Sequence, residues 1–359
     1  MVNVYIESMG CDSNLADSKK VEKYLEENGL TIVSDITKAD YIILMSCGFN
    51  KIMLKNNITK LKAFRKTGAK IILGGCVPKI DESVCKLADY SFGARELDKV
   101  GEIFGFKSNI EKISPEFKRE NLQIIKIATG CEGNCSYCAI KRATGSIKSR
   151  PINIIIKDIK KSIKEGYSKI ALVSEDDGAW GQDINSNITE LIKEINKIKG
   201  DFKITFTYFN PQWFIKYPAL FKLFKSKKIE KTINIPVQSG SNKILKLMNR
   251  GYTVEQYLKI FNKLKSEIPE IKIQVDVMVG FPRESNKDFQ ETLKLVKDLD
   301  IYYLEVFAYT DMKNTISEKI VPKVPFKVTK ERAKKIIDIF LDKHKSENRN
   351  LVNTNIEIK

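Results

Sequence analysis

The chain contains a single histidine, His344, in 359 residues. Imidazole acid–base chemistry is thereby nearly excluded, and no Cys/His set stands close enough in sequence to close a structural zinc site. No apolar run approaches the ~20 residues of a membrane-spanning helix. The N-terminus, Met1-Val2-Asn3-Val4, leads straight into a strand. A cytoplasmic protein that does not engage membranes is expected. There is no internal repeat, no low-complexity tract, no Arg-rich run and no basic tail. Cysteine is sparse: seven residues, an odd number and unevenly placed, which argues against a secreted disulfide scaffold. In a reducing compartment most of them are better explained as metal ligands.

What is abundant is lysine. Lys+Arg 62 against Asp+Glu 45 gives a formal net charge of +17, a balance that favours polyanionic partners, nucleic acid first. Lys, Ile and Asn are common throughout, so genomic composition is the competing explanation. The length allows a sizeable core and about two domains.

The most specific feature is Cys131-Glu132-Gly133-Asn134-Cys135-Ser136-Tyr137-Cys138, a CxxxCxxC spacing directly after an apolar run, Gln123 to Ala128, that reads as a strand. Three thiolates on one tight loop suit three corners of a cubane iron–sulfur cluster, leaving the fourth iron open to a small molecule. Gly133 is expected to let the loop bend back, and Tyr137 to set a ring beside the cluster. A closed zinc site is the plainer alternative, but it normally takes four protein ligands.

Upstream, Val2–Glu7, Tyr41–Ser46, Lys70–Leu73 and Asp89–Phe92 read as strands. Helices are expected at Ser13–Asn28 (closed by Gly29), Lys51–Lys66 and Glu96–Phe104. This alternation implies a doubly wound parallel sheet. Cys11, Cys47 and Cys76 each follow a strand, and parallel strands end on the same edge, where such sheets build their sites. The three are therefore expected to converge on a second metal cluster, although apolar strands also attract ordinary buried cysteine. Cys85 reads as an ordinary packed residue.

The expected organisation is an α/β domain over 1–106, a polar linker over 107–121, a second α/β domain over 122–327, and a C-terminal helix and tail over 328–359. Strands in the second domain are expected near 123–128, 169–174, 202–208, 233–237, 271–279 and 302–309. Such units, too few to close a ring, suggest an open (β/α)6 partial barrel. His344 should lie on a solvated helix face.

The cysteine loop resembles the signature of the radical S-adenosylmethionine (SAM) enzymes. With the three upstream cysteines, the chain from Val4 to about Lys335 resembles the methylthiotransferases of that superfamily. The motifs that carry this are Gly10-Cys11, Ser46-Cys47, Gly75-Cys76-Val77-Pro78, Ser149-Arg150-Pro151, Ile235-Pro236-Val237-Gln238-Ser239-Gly240, Met248-Asn249-Arg250-Gly251 and Gly280-Phe281-Pro282. Ser174-Glu175-Asp176-Asp177-Gly178-Ala179-Trp180-Gly181 looks closest to the branch that methylthiolates threonylcarbamoyladenosine in tRNA. Asn14-Leu15-Ala16-Asp17-Ser18 looks closer to the branch acting on a ribosomal-protein aspartate. Family members usually end in a small barrel, the TRAM domain. Here the helix from Thr329 to about Lys345 leaves only Ser346–Lys359, too short for one.

The resemblance implies two [4Fe-4S] clusters and SAM. Cys131, Cys135 and Cys138 would hold the cluster at which SAM is cleaved to a 5′-deoxyadenosyl radical; Cys11, Cys47 and Cys76 would hold a second that supplies sulfur. SAM contacts are expected from Tyr137, Glu175, Asp176, Gln238, Asp276 and Arg250, the last suited to a carboxylate. The expected enzyme is a methylthiotransferase, a monomer served by a reductant such as flavodoxin or ferredoxin. Its substrate is a tRNA adenosine or, alternatively, a peptide or protein residue. A sulfur-mobilising or electron-transfer iron–sulfur protein without radical chemistry is a third reading, which explains the upstream cysteines but not the CxxxCxxC loop.

Overall fold

The computed structural model describes residues 2–344 and 351–354. The expected tail, Ser346–Lys359, lies for the most part outside the described residues. The chain divides into two compact units. The first comprises Met1–Glu132, Cys138–Glu175 and Trp180–Asn185; the second comprises Gly133–Tyr137, Asp176–Ala179 and Ser186–Lys359.

The first unit opens with a five-stranded parallel sheet of order β2-β1-β3-β4-β5: β1 (Asn3–Ser8), β2 (Thr31–Ile32), β3 (Tyr41–Ser46), β4 (Lys70–Gly75) and β5 (Tyr90–Ser91). The central strand β3 is apolar at successive positions because both faces are covered. Ile43 and Met45 pack with Val21, Tyr24 and Leu25 of helix α1 (Asp12–Glu27). Ile42 and Leu44 pack on the other face with Leu61 and Phe64 of α2 (Lys51–Phe64). Helix α1 ends as the sequence suggested: Gly29 takes φ +84, and its N–H donates to Glu26 O at 3.0 Å.

Residues 107–121 are not an open linker. Ile110 and Ile113 enter the first core, and β6 (Glu116–Arg119) pairs antiparallel with β7 (Leu122–Lys126). The polar composition concealed three apolar side chains at spacings that reach the sheet. Strand β7 runs parallel to β10 (Lys169–Val173), with the short pair β8 (Ala128–Thr129) and β9 (Lys148–Ser149) beyond it.

The second unit contains β11 (Lys203–Phe206) and a parallel sheet of β12 (Thr232–Asn234), β13 (Lys272–Val279), β14 (Tyr303–Ala308) and β15 (Val352–Thr354). The six strands expected after residue 122 are all present. Strand β15 was not expected; it pairs with β14 through Leu304, Glu305 and Val306. Two of the intervening helices begin with capping boxes, Thr253/Gln256 and Ser285/Asp288. The single histidine is not a solvated surface residue: His344 caps the helix Phe326–Lys343, with its ring 4.4 Å from that of Phe340. Among the described residues no helix is long and apolar enough to cross a membrane.

Candidate functional site

The parallel sheet places Cys11, Cys47 and Cys76 at one edge, after β1, β3 and β4. Their loops are tied together by short bonds. Asn14 Nδ2 donates to Met9 O at 2.6 Å and to Met45 O at 3.0 Å, fastening the Cys11 loop to the end of β3. Ser46 Oγ donates to Gly74 O at 2.5 Å and accepts from Val77 N at 3.2 Å, and Cys76 N donates to Ser46 O at 3.0 Å. These bonds fasten the Cys47 loop to the Cys76 loop. Asn57 Nδ2 holds Cys47 O at 2.8 Å. Gly10 has φ +113, and a Cβ there would lie 2.5 Å from Cys47 Cβ, so the loop can close only on glycine.

All three thiols are free. Cys47 and Cys76 are buried; Cys11 has an open face, but protein crowds it on its other sides. Burial, then the nearby Cys47 and Glu175, push its thiol up to about 12. Burial, then Cys47 and Cys11, push Cys76 well up. Burial also raises Cys47, against backbone hydrogen bonds from Phe49 and Cys11. Among the described residues no three such ligands surround a point for a single metal ion; thiolates on separate corners of a cubane need no common point. The donor set fits an iron–sulfur cluster better than it fits zinc. Cys85, by contrast, packs half-buried beside Val84 and Leu73, as expected of a structural cysteine.

Beside these cysteines lies a charged pair that sequence reasoning missed. Lys126 Nζ donates to Asp17 Oδ2 at 2.6 Å, with both side chains nearly excluded from water. Burial works against the ammonium, but Asp17, Glu175 and Cys11 outweigh it and hold Lys126 above the usual lysine value. Burial also raises Asp17, toward its neutral form. The two shifts pull apart; the 2.6 Å contact and the second carboxylate at Glu175 favour the ion pair. Removing either partner of such a buried pair costs about 3–5 kcal/mol. The available signal was a lysine inside an apolar strand.

Glu175 joins this neighbourhood. Its Oε1 accepts from Ser13 Oγ at 3.0 Å and its Oε2 from Gly130 N at 2.6 Å, linking the start of α1 to the residue before Cys131. Gly130 is where the cysteine loop turns: it has φ +93, and a Cβ would stand 2.3 Å from Ser146 O. Gly133 is not in the left-handed region; the chain bends at Gly130 and again at Glu132. Cys131 N donates to Gly145 O at 3.2 Å, and Lys141 Nζ donates to Cys131 O.

Cys135 belongs to the second unit with its own supports. Arg250 Nη1 donates to Cys135 Sγ at 3.3 Å, Nε to Tyr252 Oη at 2.8 Å and Nη2 to Pro236 O at 2.9 Å. The guanidinium expected to stand open for a carboxylate thus spends three of its N–H groups orienting a cysteine and its surroundings. Ser136 is fixed through N to Met248 O at 2.9 Å and through Oγ to Leu247 O at 2.7 Å. Tyr137 meets Phe281 edge-on at 6.4 Å.

The remaining expected SAM contacts divide. Asp176 is committed to the protein: its carboxylate accepts from Trp213 Nε1 at 2.8 Å and Asn210 N at 3.2 Å, and burial pushes it up to about 6. That makes it an anchor for its loop. Asp276 lies buried on β13 beside Asn234, whose Nδ2 donates at 2.8 Å. Burial and the neighbouring Glu305 push it up to about 7. Gln238 adopts φ +73 and has a buried Oε1 with no hydrogen-bond partner. An orphaned acceptor on a strained residue is a ligand-seeking feature. A separate groove of about 560 Å³, lined by Ser241, Lys243, Glu255 and Asp288, contains none of the expected site residues. There Ser241 and Lys243 both pair with Asp288.

Residues 125–296 match the Radical SAM superfamily, and residues 3–91 match a family described as Uncharacterized protein family UPF0004. A radical SAM methyltransferase, TsrM, from Kitasatospora setae with cobalamin and a [4Fe-4S] cluster bound shares the fold. Its TM-score is 0.64 at 12% identity, over 89% of this chain and 77% of that one. The fold and the cysteine loop define a radical SAM protein, a class that carries SAM and a [4Fe-4S] cluster. A probable threonylcarbamoyladenosine tRNA methylthiotransferase of Pyrococcus horikoshii is 32% identical over 100% of this chain and 88% of its own length. A ribosomal protein uS12 methylthiotransferase of Thermosipho melanesiensis is also 32% identical, over 94% of this chain and 83% of its own. The chain belongs to the radical SAM methylthiotransferases.

Proposed function

We propose that this enzyme inserts sulfur and a methyl group at an unactivated C–H bond of a tRNA adenosine of the threonylcarbamoyladenosine type. Cys131, Cys135 and Cys138 would hold the SAM-binding cluster, and Cys11, Cys47 and Cys76 a second. When bound, the first supplies reductive cleavage of SAM and the second supplies sulfur. The protein's own residues orient these sites: Arg250 steadies Cys135, Gly130 turns the loop, and Asn14, Ser46 and Asn57 hold the three upstream loops in register. Asp276 and Gln238 remain candidates for SAM through the raised carboxyl and the orphaned amide oxygen. Glu175 is a candidate through a carboxylate that already meets Gly130 N.

The observation that carries the reaction class is the convergence of three free cysteines at one sheet edge, in a chain that also bears the CxxxCxxC loop. Support for tRNA comes from the charge of +17 and from α2, which has no acidic residue and exposes Lys51, Lys55 and Lys62. Such contacts release counterions and make binding steeply salt-dependent. This reading places the enzyme in the cytoplasm, as a monomer, with an external reductant such as flavodoxin or ferredoxin.

A protein or peptide substrate is the second reading, supported by the equal 32% identity to the ribosomal-protein enzyme. Mass spectrometry of tRNA nucleosides from cells with and without the gene separates the two. Loss of a 2-methylthio-adenosine on deletion is expected; an unchanged nucleoside profile sinks the tRNA reading.

A further inference from the structure

Lys126 is the one charged side chain in the run Gln123 to Ala128, and it is 2% exposed. An apolar cluster of Ala16, Phe117, Ile124, Ala171 and Val173 packs around the same strand and the same turn of α1. A hydrophobic pair in place of a buried ion pair is often neutral or stabilising, so stability alone does not explain a lysine. What distinguishes the position is what it faces. The ammonium is held by Asp17 and interacts electrostatically with Glu175, Cys11 and Cys76. The other lysine near Asp17, Lys20, is engaged with Glu111 at 3.1 Å, and that carboxylate lies at the surface. Lys126 is therefore a buried cation, fixed at 2.6 Å by Asp17 on the helix that starts directly after Cys11, and it faces Glu175, Cys11 and Cys76.

We propose that Lys126, fixed by Asp17, is a positioning residue for the cluster on Cys11, Cys47 and Cys76 and sets its reduction potential. The proposal rests on the reading of those three cysteines as ligands. A fixed positive charge beside a cluster favours the more negative, reduced state, and net charge around the sulfurs is one of the main determinants of potential. Asp17 has two effects of opposite kind: it anchors the ammonium and it subtracts from its charge. Lys126 and Asp17 substitutions should therefore move the potential in opposite directions.

The test uses the full chain carrying Cys131→Ala, Cys135→Ala and Cys138→Ala, so that only the second cluster contributes, reconstituted anaerobically with iron and sulfide. The midpoint potential is read by electron paramagnetic resonance during a redox titration. Lys126→Met should shift it to more negative values, Asp17→Asn to more positive values, and Lys126→Arg should leave it close to the parent. Shifts of the same sign, or none, for Met and Asn overturn the proposal, because a merely structural pair would weaken iron binding in both without opposing shifts. Where Lys126→Met fails to hold iron, the Asn and Arg variants decide: a positive shift with Asn and an unmoved Arg support the proposal, any other pattern overturns it. A parent that binds no iron refutes instead the assignment of the three cysteines, and the proposal falls with it.

Discussion

Gly10 and Cys47 touch backbone to side chain: a Cβ on Gly10 would lie 2.5 Å from the Cβ of Cys47 and 2.8 Å from its sulfur. The loop that presents Cys11 closes over Cys47 only because that carbon is absent. Gly10→Ala should displace the Cys47 thiol while leaving the sheet behind it folded. The expected result is a loss of about half the iron of the reconstituted protein, with reductive SAM cleavage retained. Full iron content in the alanine variant would show that the close approach does not matter.

The two cysteine sets should separate the half-reactions. Replacing Cys131, Cys135 and Cys138 by alanine should abolish SAM cleavage to 5′-deoxyadenosine. Replacing Cys11, Cys47 and Cys76 should preserve that cleavage and stop sulfur insertion. Cys85→Ala should change neither, since Cys85 only packs against its neighbours. Methylthiolated product from the Cys11/Cys47/Cys76 variant is the outcome that removes the sulfur-donor assignment.

Arg250 supports Cys135 through a 3.3 Å contact and reaches Tyr252 and Pro236 with its other arms. Lysine preserves the charge but not the fork, so it is a poor substitute here. Arg250→Lys should reduce SAM cleavage by about 10–100-fold, the range seen when partners behind a metal ligand are removed. A variant with unaltered cleavage would assign Arg250 to packing alone.

Burial pushes Asp176 up to about 6, and burial with Glu305 pushes Asp276 up to about 7. An unfolded aspartate titrates near pH ~3.9. Between those values these two groups bind more protons in the folded chain than in the unfolded one, so their own contribution to stability falls as pH rises from about 4 through 7. Thermal unfolding of the cluster-free protein should show Asp276→Asn gaining Tm relative to the parent as pH rises over that window. A difference between variant and parent that stays constant from pH 4 to 7 contradicts the assignment for Asp276.

The elements that announce themselves by composition were legible in the sequence: apolar strands ending in cysteine, a helix closed by Gly29, a CxxxCxxC loop. What eluded sequence reading depends on partners distant along the chain. Arg250 looks like an anion ligand until Cys135, 115 positions earlier, is found against its guanidinium. Asp176 looks like a cofactor contact until Trp213 takes its carboxylate. Ile110, Ile113 and Phe117 sit in a stretch polar enough to read as a linker, and β15 is too short to give an alternating pattern. That Gly130 and not Gly133 takes the left-handed conformation could not be told from sequence, because glycines near a loop look alike without dihedral angles.

The bonds from Ser13 and Gly130 to the carboxylate of Glu175 join stretches of chain that are made at different times. Domains emerge from the ribosome N-terminal first, and the five strands of the first sheet end at Ser91. Lys126 and Glu175 lie well beyond that strand, so all three cysteines leave the ribosome before the charges that later stand beside them.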